Sequence, residues 1–164
     1  MKIELKKVKT FPEVSQDSLS FTADVWVDGK KAGYAHNDGW GGPIGVYPDT
    51  LVKILQAHAA SLPPVQLITN TTTSESINVQ PTVDTLIGDL INTFEAAKEY
   101  KRLSAKHLLF KLKDDVRIFQ SGPFKASDMA FYVANPDDTK KTLEAETVLN
   151  CLQFEEAVKL FRGY

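Results

Sequence analysis

Cysteine is almost missing from this chain: Cys151 is the single one in 164 residues. It can form neither an intramolecular disulfide nor a thiolate zinc site, and a small core residue is its expected role. Histidine is scarce too. His36, His58 and His107 stand far apart in sequence, so a metal centre would need distant convergence, and neither metal nor cofactor is expected. No run approaches the ~18 apolar residues of a membrane span. Met1 to Lys7 interleave charge with apolar residues, unlike the apolar stretch of a secretory signal, so the expected setting is cytosolic and away from membranes. Neither sign of charge dominates, with 19 Lys and Arg against 21 Asp and Glu and a formal net charge of -2. A basic excess of the kind that marks duplex binders is therefore lacking. The Gly-x-Ser-x-Gly elbow, the phosphate-binding loop and the dinucleotide fingerprint are all absent, which points to a binding protein more than an enzyme.

What is present is globular composition, 43% hydrophobic and 24% charged, enough for one domain over residues 1–164 to bury a core without cross-links. Ile3, Leu5 and Val8 alternate with charged residues. Phe21, Ala23, Val25 and Val27 oppose Thr22, Asp24 and Trp26, the period of two of a strand with one wet face. Asp28-Gly29 then tolerates the positive φ of a tight turn, so a hairpin returning from about Lys31 to His36 is expected. Leu51, Ile54, Leu55, His58 and Leu62 recur at helical spacing, with Asp49 or Thr50 as cap and Pro63-Pro64 as stop. Residues 69–78 hold one large apolar side chain in ten, too little burial to offset ordering, and read as a mobile surface loop.

From Thr82 to about Ser104 the residues Val83, Leu86, Ile87, Leu90, Ile91, Phe94, Ala97 and Leu103 form a helical stripe capped by Thr82. A second hairpin is expected from His107–Lys113 and Val116–Gln120, turning at Asp114-Asp115. Short helices follow at Ala126–Ala134 and within 137–146, with a last one over Gln153–Phe161. The fold class is α+β: a small antiparallel sheet of β-hairpins packed against a long central helix, with shorter helices.

The sharpest chemical feature is the corner His36, Asn37, Asp38, Gly39, Trp40, Gly41, Gly42, Pro43. Its glycines allow main-chain amides to gather into an anion-accepting nest beside an indole, which would suit a nucleotide or other small anion. The same glycines also suit a purely structural turn. His36 and Asp38 are the one pair that could serve as acid and base. Trp26, Trp40 and Tyr47 are aromatic candidates for a partner contact. A second candidate surface is cationic. Between Lys98 and Arg117 stand seven basic residues, Lys98, Lys101, Arg102, Lys106, Lys111, Lys113 and Arg117, against three acids. These could steer nucleic acid, or could form a solvated face in which the helix-end cations oppose the helix dipole. Residues 137–156 carry six acids against two lysines, which leaves head-to-tail self-association open and the oligomeric state unspecified.

The stretch Phe21 to Gly33, running on into Asn37-Asp38-Gly39-Trp40-Gly41-Gly42, resembles a family of small uncharacterised proteins of bacteriophages, prophages and related bacterial loci. Leu62-Pro63-Pro64, Leu86-Ile87-Gly88-Asp89-Leu90 and Phe154-Glu155-Glu156-Ala157 fit the same resemblance. It implies a setting and no activity. The resulting expectation is a small cytosolic accessory protein that binds a host protein as inhibitor or modulator. The alternatives are a nucleotide or anion binder at residues 37–43 and a nucleic-acid binder at residues 98–117.

Overall fold

A computed structural model describes residues 1–70 and 75–163. Its internal contacts gather into two compact units, Met1–Ile91 and Asn92–Tyr164.

The first unit is built on an antiparallel meander of four strands, β1 (Ile3–Thr10), β2 (Phe21–Val27), β3 (Lys30–Asn37) and β4 (Gly45–Tyr47), in that spatial order. The Asp28-Gly29 hairpin forms as expected, with φ of 47° and 79° at the two turn residues, the left-handed pair that a tight two-residue turn requires. The alternation in β2 is also obeyed. Phe21, Ala23, Val25, Ala35 and Val46 make the buried face. They share one core with Leu51 and Leu55 of α1 (Asp49–Ser61) and with Ile87 and Ile91 of α2 (Val83–Ser104). Ile54, expected on the α1 stripe, is 45% exposed; the buried row is Leu51, Leu55 and Ala59, spaced by four, and Ile54 points off it. Pro48 occupies the N-cap of α1 without a side-chain cap, so neither Asp49 nor Thr50 serves as the cap.

Thr82 does cap α2. Its Oγ1 accepts from Thr85 N while Thr85 Oγ1 accepts from Thr82 N, at 3.2 and 2.7 Å, a reciprocal capping box in which threonine replaces the usual acid. Gln80 closes α1 from outside, donating through Nε2 to the carbonyls of Ala59 and Leu62 at 3.0 and 2.8 Å.

The expected mobile loop at 69–78 is corrected in part. Val65–Asn70 and Glu75–Val79 pair as antiparallel strands β5 and β6. β-branched residues favour extended backbone. Residues 71–74 lie outside the described residues.

In the second unit, β7 (Leu108–Leu112) is the centre of a three-stranded antiparallel sheet, between β8 (Ile118–Ser121) and β9 (Ala145–Val148). The connection turns at Asp114, whose φ of 61° supplies the left-handed step that no glycine is there to take. Helices α3 (Ala126–Ala134), α4 (Pro136–Leu143) and α5 (Phe154–Arg162) complete the unit. The short helix expected within 137–146 is α4, which ends at Leu143 with Glu144 in the left-handed conformation, and β9 begins at once. Tyr100, Leu109, Leu149, Ala157 and Val158 form one buried cluster, and Leu108, Met129 and Val148 another. Phe94 and Phe154, both expected on apolar stripes, are 37% and 38% exposed.

Candidate functional site

The corner between β3 and β4 is held by Asn37, the last residue of β3. Strand parity turns its side chain to the covered face, and it is buried. Its Oδ1 accepts from Ser18 Oγ at 2.7 Å and from Gly39 N at 2.8 Å, while Nδ2 donates to the Gly42 carbonyl at 2.9 Å. The Ser18 hydroxyl in turn accepts from Gly41 N at 3.1 Å. The Gly39 carbonyl accepts from the amides of Gln16, Asp17 and Ser18 at 2.9, 3.0 and 3.3 Å. Gly39 and Gly41 adopt φ of 90° and 79°, the conformation for which glycine carries no steric penalty. The corner is therefore stitched to residues 15–18, a loop far from it in sequence. Its far arm is tied down as well, since Ile44 N donates to Asp84 Oδ1 at 2.6 Å.

Two consequences follow for the sequence candidates. The amides of Gly39 and Gly41 donate inside the loop, so they do not gather outward as an anion nest. Trp40 stands 66% exposed, which the bonded loop beneath it holds in place. Phe11, at 39% exposure, precedes a short 3-10 turn over Pro12–Val14 that lies against Gly39, and Val14, at 56% exposure, ends it. Phe11 and Val14 were not foreseen as site residues. Nothing in the sequence spacing announces that the β1–β2 connection folds onto the corner.

The open face of the same sheet carries a second set of aromatics. Tyr34 and Tyr47 are cross-strand partners whose rings stack at 5.1 Å, and Tyr47 also stacks on His36 at 5.8 Å. Tyr34 and Tyr47 are 50% and 46% exposed. Tyr34 was missed, although its alternation with buried Ala35 was available as a signal. Trp26 lies on this face but is sheathed: Lys6 Nζ sits 3.7 Å from its ring centroid, and the indole Nε1 is shut off from solvent without a partner. His36 is half-buried over Gly45, with Nδ1 likewise enclosed, whereas Asp38 is exposed. Among the described residues no hydrogen bond joins this histidine to Asp38.

The basic segment falls in the second unit, and much of its charge is paired. Arg102 binds Glu99 through Nε and Nη2 at 2.8 and 2.5 Å, and Lys98 lies 3.3 Å from Glu95. Arg117 clasps Asp115 through its backbone amide, Nε and Nη2 at 2.9, 3.0 and 2.7 Å. These bonds hold the Asp115 carboxyl at about 2, well below its ordinary value. Lys101 covers the ring of Phe154 at 4.9 Å. Lys106 and Lys113 are exposed and Lys111 is half-buried. The segment is thus laced with carboxylates and rings and presents few bare cations.

No protein-family model, no curated protein and no solved structure matches this chain.

Elsewhere, the second unit has a groove of about 490 Å³ between α2 and α5, floored by Ala97, Phe154 and Val158. It holds none of the residues that the sequence marked as candidates. Cys151 is half-buried and its thiol is pushed up by burial, which keeps it protonated and poorly nucleophilic. Among the described residues no three His, Cys, Asp or Glu side chains are gathered to hold a metal ion, and no helix is long and apolar enough to cross a membrane.

Proposed function

We propose that this chain is a binding protein whose recognition surface is the corner at residues 36–47, and that its partner is another protein, held as by an inhibitor or modulator. The resemblance noted above supplies the setting, an accessory protein of phage or mobile-element type acting on a host protein inside the cell.

One observation carries the reading: Trp40 is two-thirds exposed on a loop whose polar groups are bonded internally. A large indole left in water is an unused source of apolar burial, and a Trp held in place by its loop needs little ordering when a partner covers it. Tyr47 and Tyr34 are exposed on the open face of the sheet that carries this corner. Tryptophan and tyrosine dominate the contacts that matter most in protein interfaces.

Affinity purification of the tagged protein from host cells tests this, run in parallel with Trp40→Ala. The substitution removes no buried contact and should leave stability within about 0.5 kcal/mol. A stoichiometric partner retained by the wild type and lost by the variant is expected. A clean preparation from both, or equal capture by both, refutes the reading.

A further inference from the structure

The character of the partner is written in the charge around the exposed apolar patch. Trp40, Val14 and Phe11 are 66%, 56% and 39% exposed and sit on two loops bonded to each other through Gly39. The charged residues of these loops, Glu13, Asp17 and Asp38, are all acidic and all exposed. No lysine or arginine occurs between Lys9 and Lys30, or between Lys31 and Lys53, which are the segments that supply the corner. The side chains of these acids enter no salt bridge with a described residue. Exposed apolar side chains on loops whose charged residues are all acidic repel phosphate, nucleic acid and anionic membrane surfaces, and attract cationic chains.

Resting on the partner-binding reading above, we propose that the corner receives a basic segment of a partner protein. One apolar side chain of that segment covers Trp40 and Val14, and its lysines or arginines lie among Glu13, Asp17 and Asp38. The indole supplies the second attraction for such a segment, since guanidinium groups stack favourably on its face. Apolar burial gives the complex its lifetime, and the acids select the partner and speed the encounter.

A display library of random dodecapeptides, selected on the purified full chain, separates the possibilities. Three variants are run beside the wild type: Trp40→Ala, the triple charge reversal Glu13→Lys, Asp17→Lys, Asp38→Lys, and the charge-neutral triple Glu13→Gln, Asp17→Asn, Asp38→Asn. Thermal melts check that each is folded. The expected result is enrichment of peptides with net positive charge and at least one large apolar residue. Their binding should weaken tenfold or more in Trp40→Ala and in the charge reversal, by a smaller factor in the neutral triple, and on raising salt from 0.05 to 0.5 M. Enriched peptides that are neutral or acidic, yet still depend on Trp40, overturn the charge inference and leave the partner-binding reading standing. Enrichment indifferent to Trp40→Ala, or no enrichment at all, removes both. Sedimentation velocity guards the remaining case: a dimer of the wild type that Trp40→Ala abolishes would make a second copy the occupant and overturn the proposal of a separate partner.

Discussion

Asn37 is the residue on which the corner turns, and Asn37→Ala is the substitution that tests the account of it most directly. The change deletes both bonds accepted by Oδ1 and the one donated by Nδ2. The Gly39 amide and the Gly42 carbonyl are left without their partners. Each lost bond is worth about 0.5–1.5 kcal/mol net, and stranding a buried donor such as the Gly39 amide adds about 1–3 kcal/mol. Solvent can reach Gly42, which is exposed, so that carbonyl recovers most of its loss. The balance is a destabilisation of about 2–4 kcal/mol, concentrated in the corner. Urea unfolding gives the total, and amide hydrogen exchange at Gly39 and Gly41 locates it, because local opening is read residue by residue. Asn37→Asp sharpens the test. It keeps the Oδ1 acceptor but turns a second oxygen toward the Gly42 carbonyl, so it should restore protection at Gly39 while recovering only part of the lost stability. If Asn37→Ala costs less than about 0.5 kcal/mol and leaves exchange at Gly39 unchanged, the corner does not depend on its carboxamide and the argument for an ordered Trp40 platform fails.

Gly33→Ala should destabilise the first unit by about 3 kcal/mol, the upper end of overpacking. The added methyl would meet the Tyr47 carbonyl oxygen and come within 2.7 Å of Leu51 Cδ2, and urea unfolding followed by tryptophan fluorescence measures the cost. Asp115 has a folded pKa depressed to about 2 from 3.8 by Arg117. Its contribution is therefore fully present above about pH 4 and is lost as pH falls through 2. An NMR pH titration should place the Asp115 carboxyl near 2, and Arg117→Ala should return it toward the ordinary aspartate range; a midpoint unmoved by that substitution would refute the pairing.

The regular parts of the fold were legible because they are local. The β2–β3 hairpin needed only the alternation of Phe21, Ala23 and Val25 and the left-handed tolerance of Asp28-Gly29. The start of α2 needed only Thr82 ahead of an apolar stripe. Errors arose where burial depends on what lies opposite. Ile54, Phe94 and Phe154 obey helical spacing, yet periodicity defines a face some 100° wide, and residues at its edge stay partly exposed. The switch from α4 to β9 was hidden because Glu144 takes a left-handed φ of 52° that its residue type does not advertise. At the corner, glycine content showed that the chain must bend but not what it would bend against. The partner is the 15–18 segment, about twenty positions earlier, joined through Ser18 and the Gly39 carbonyl, and this decided which amides remained free.

That long-range stitch also changes what the glycines are for. A glycine loop whose amides point outward is a ligand site, and one whose amides point inward is a mount. Here the amides of Gly39 and Gly41 are turned inward by Asn37 and Ser18, while the residue between them, Trp40, has nowhere to go but solvent. Gly39 and Gly41 reach these inward bonds with φ of 90° and 79°, values that carry no steric penalty for glycine. Replacing Gly41 with alanine would strain a backbone at φ of 79° and press its methyl to 3.1 Å from Asp17 Cβ, swinging the indole from its position without removing it. Partner binding should then fall, as is expected of Trp40→Ala, even though the indole is retained. Wild-type binding retained in Gly41→Ala would refute the view that the proposed recognition depends on how the loop presents the indole.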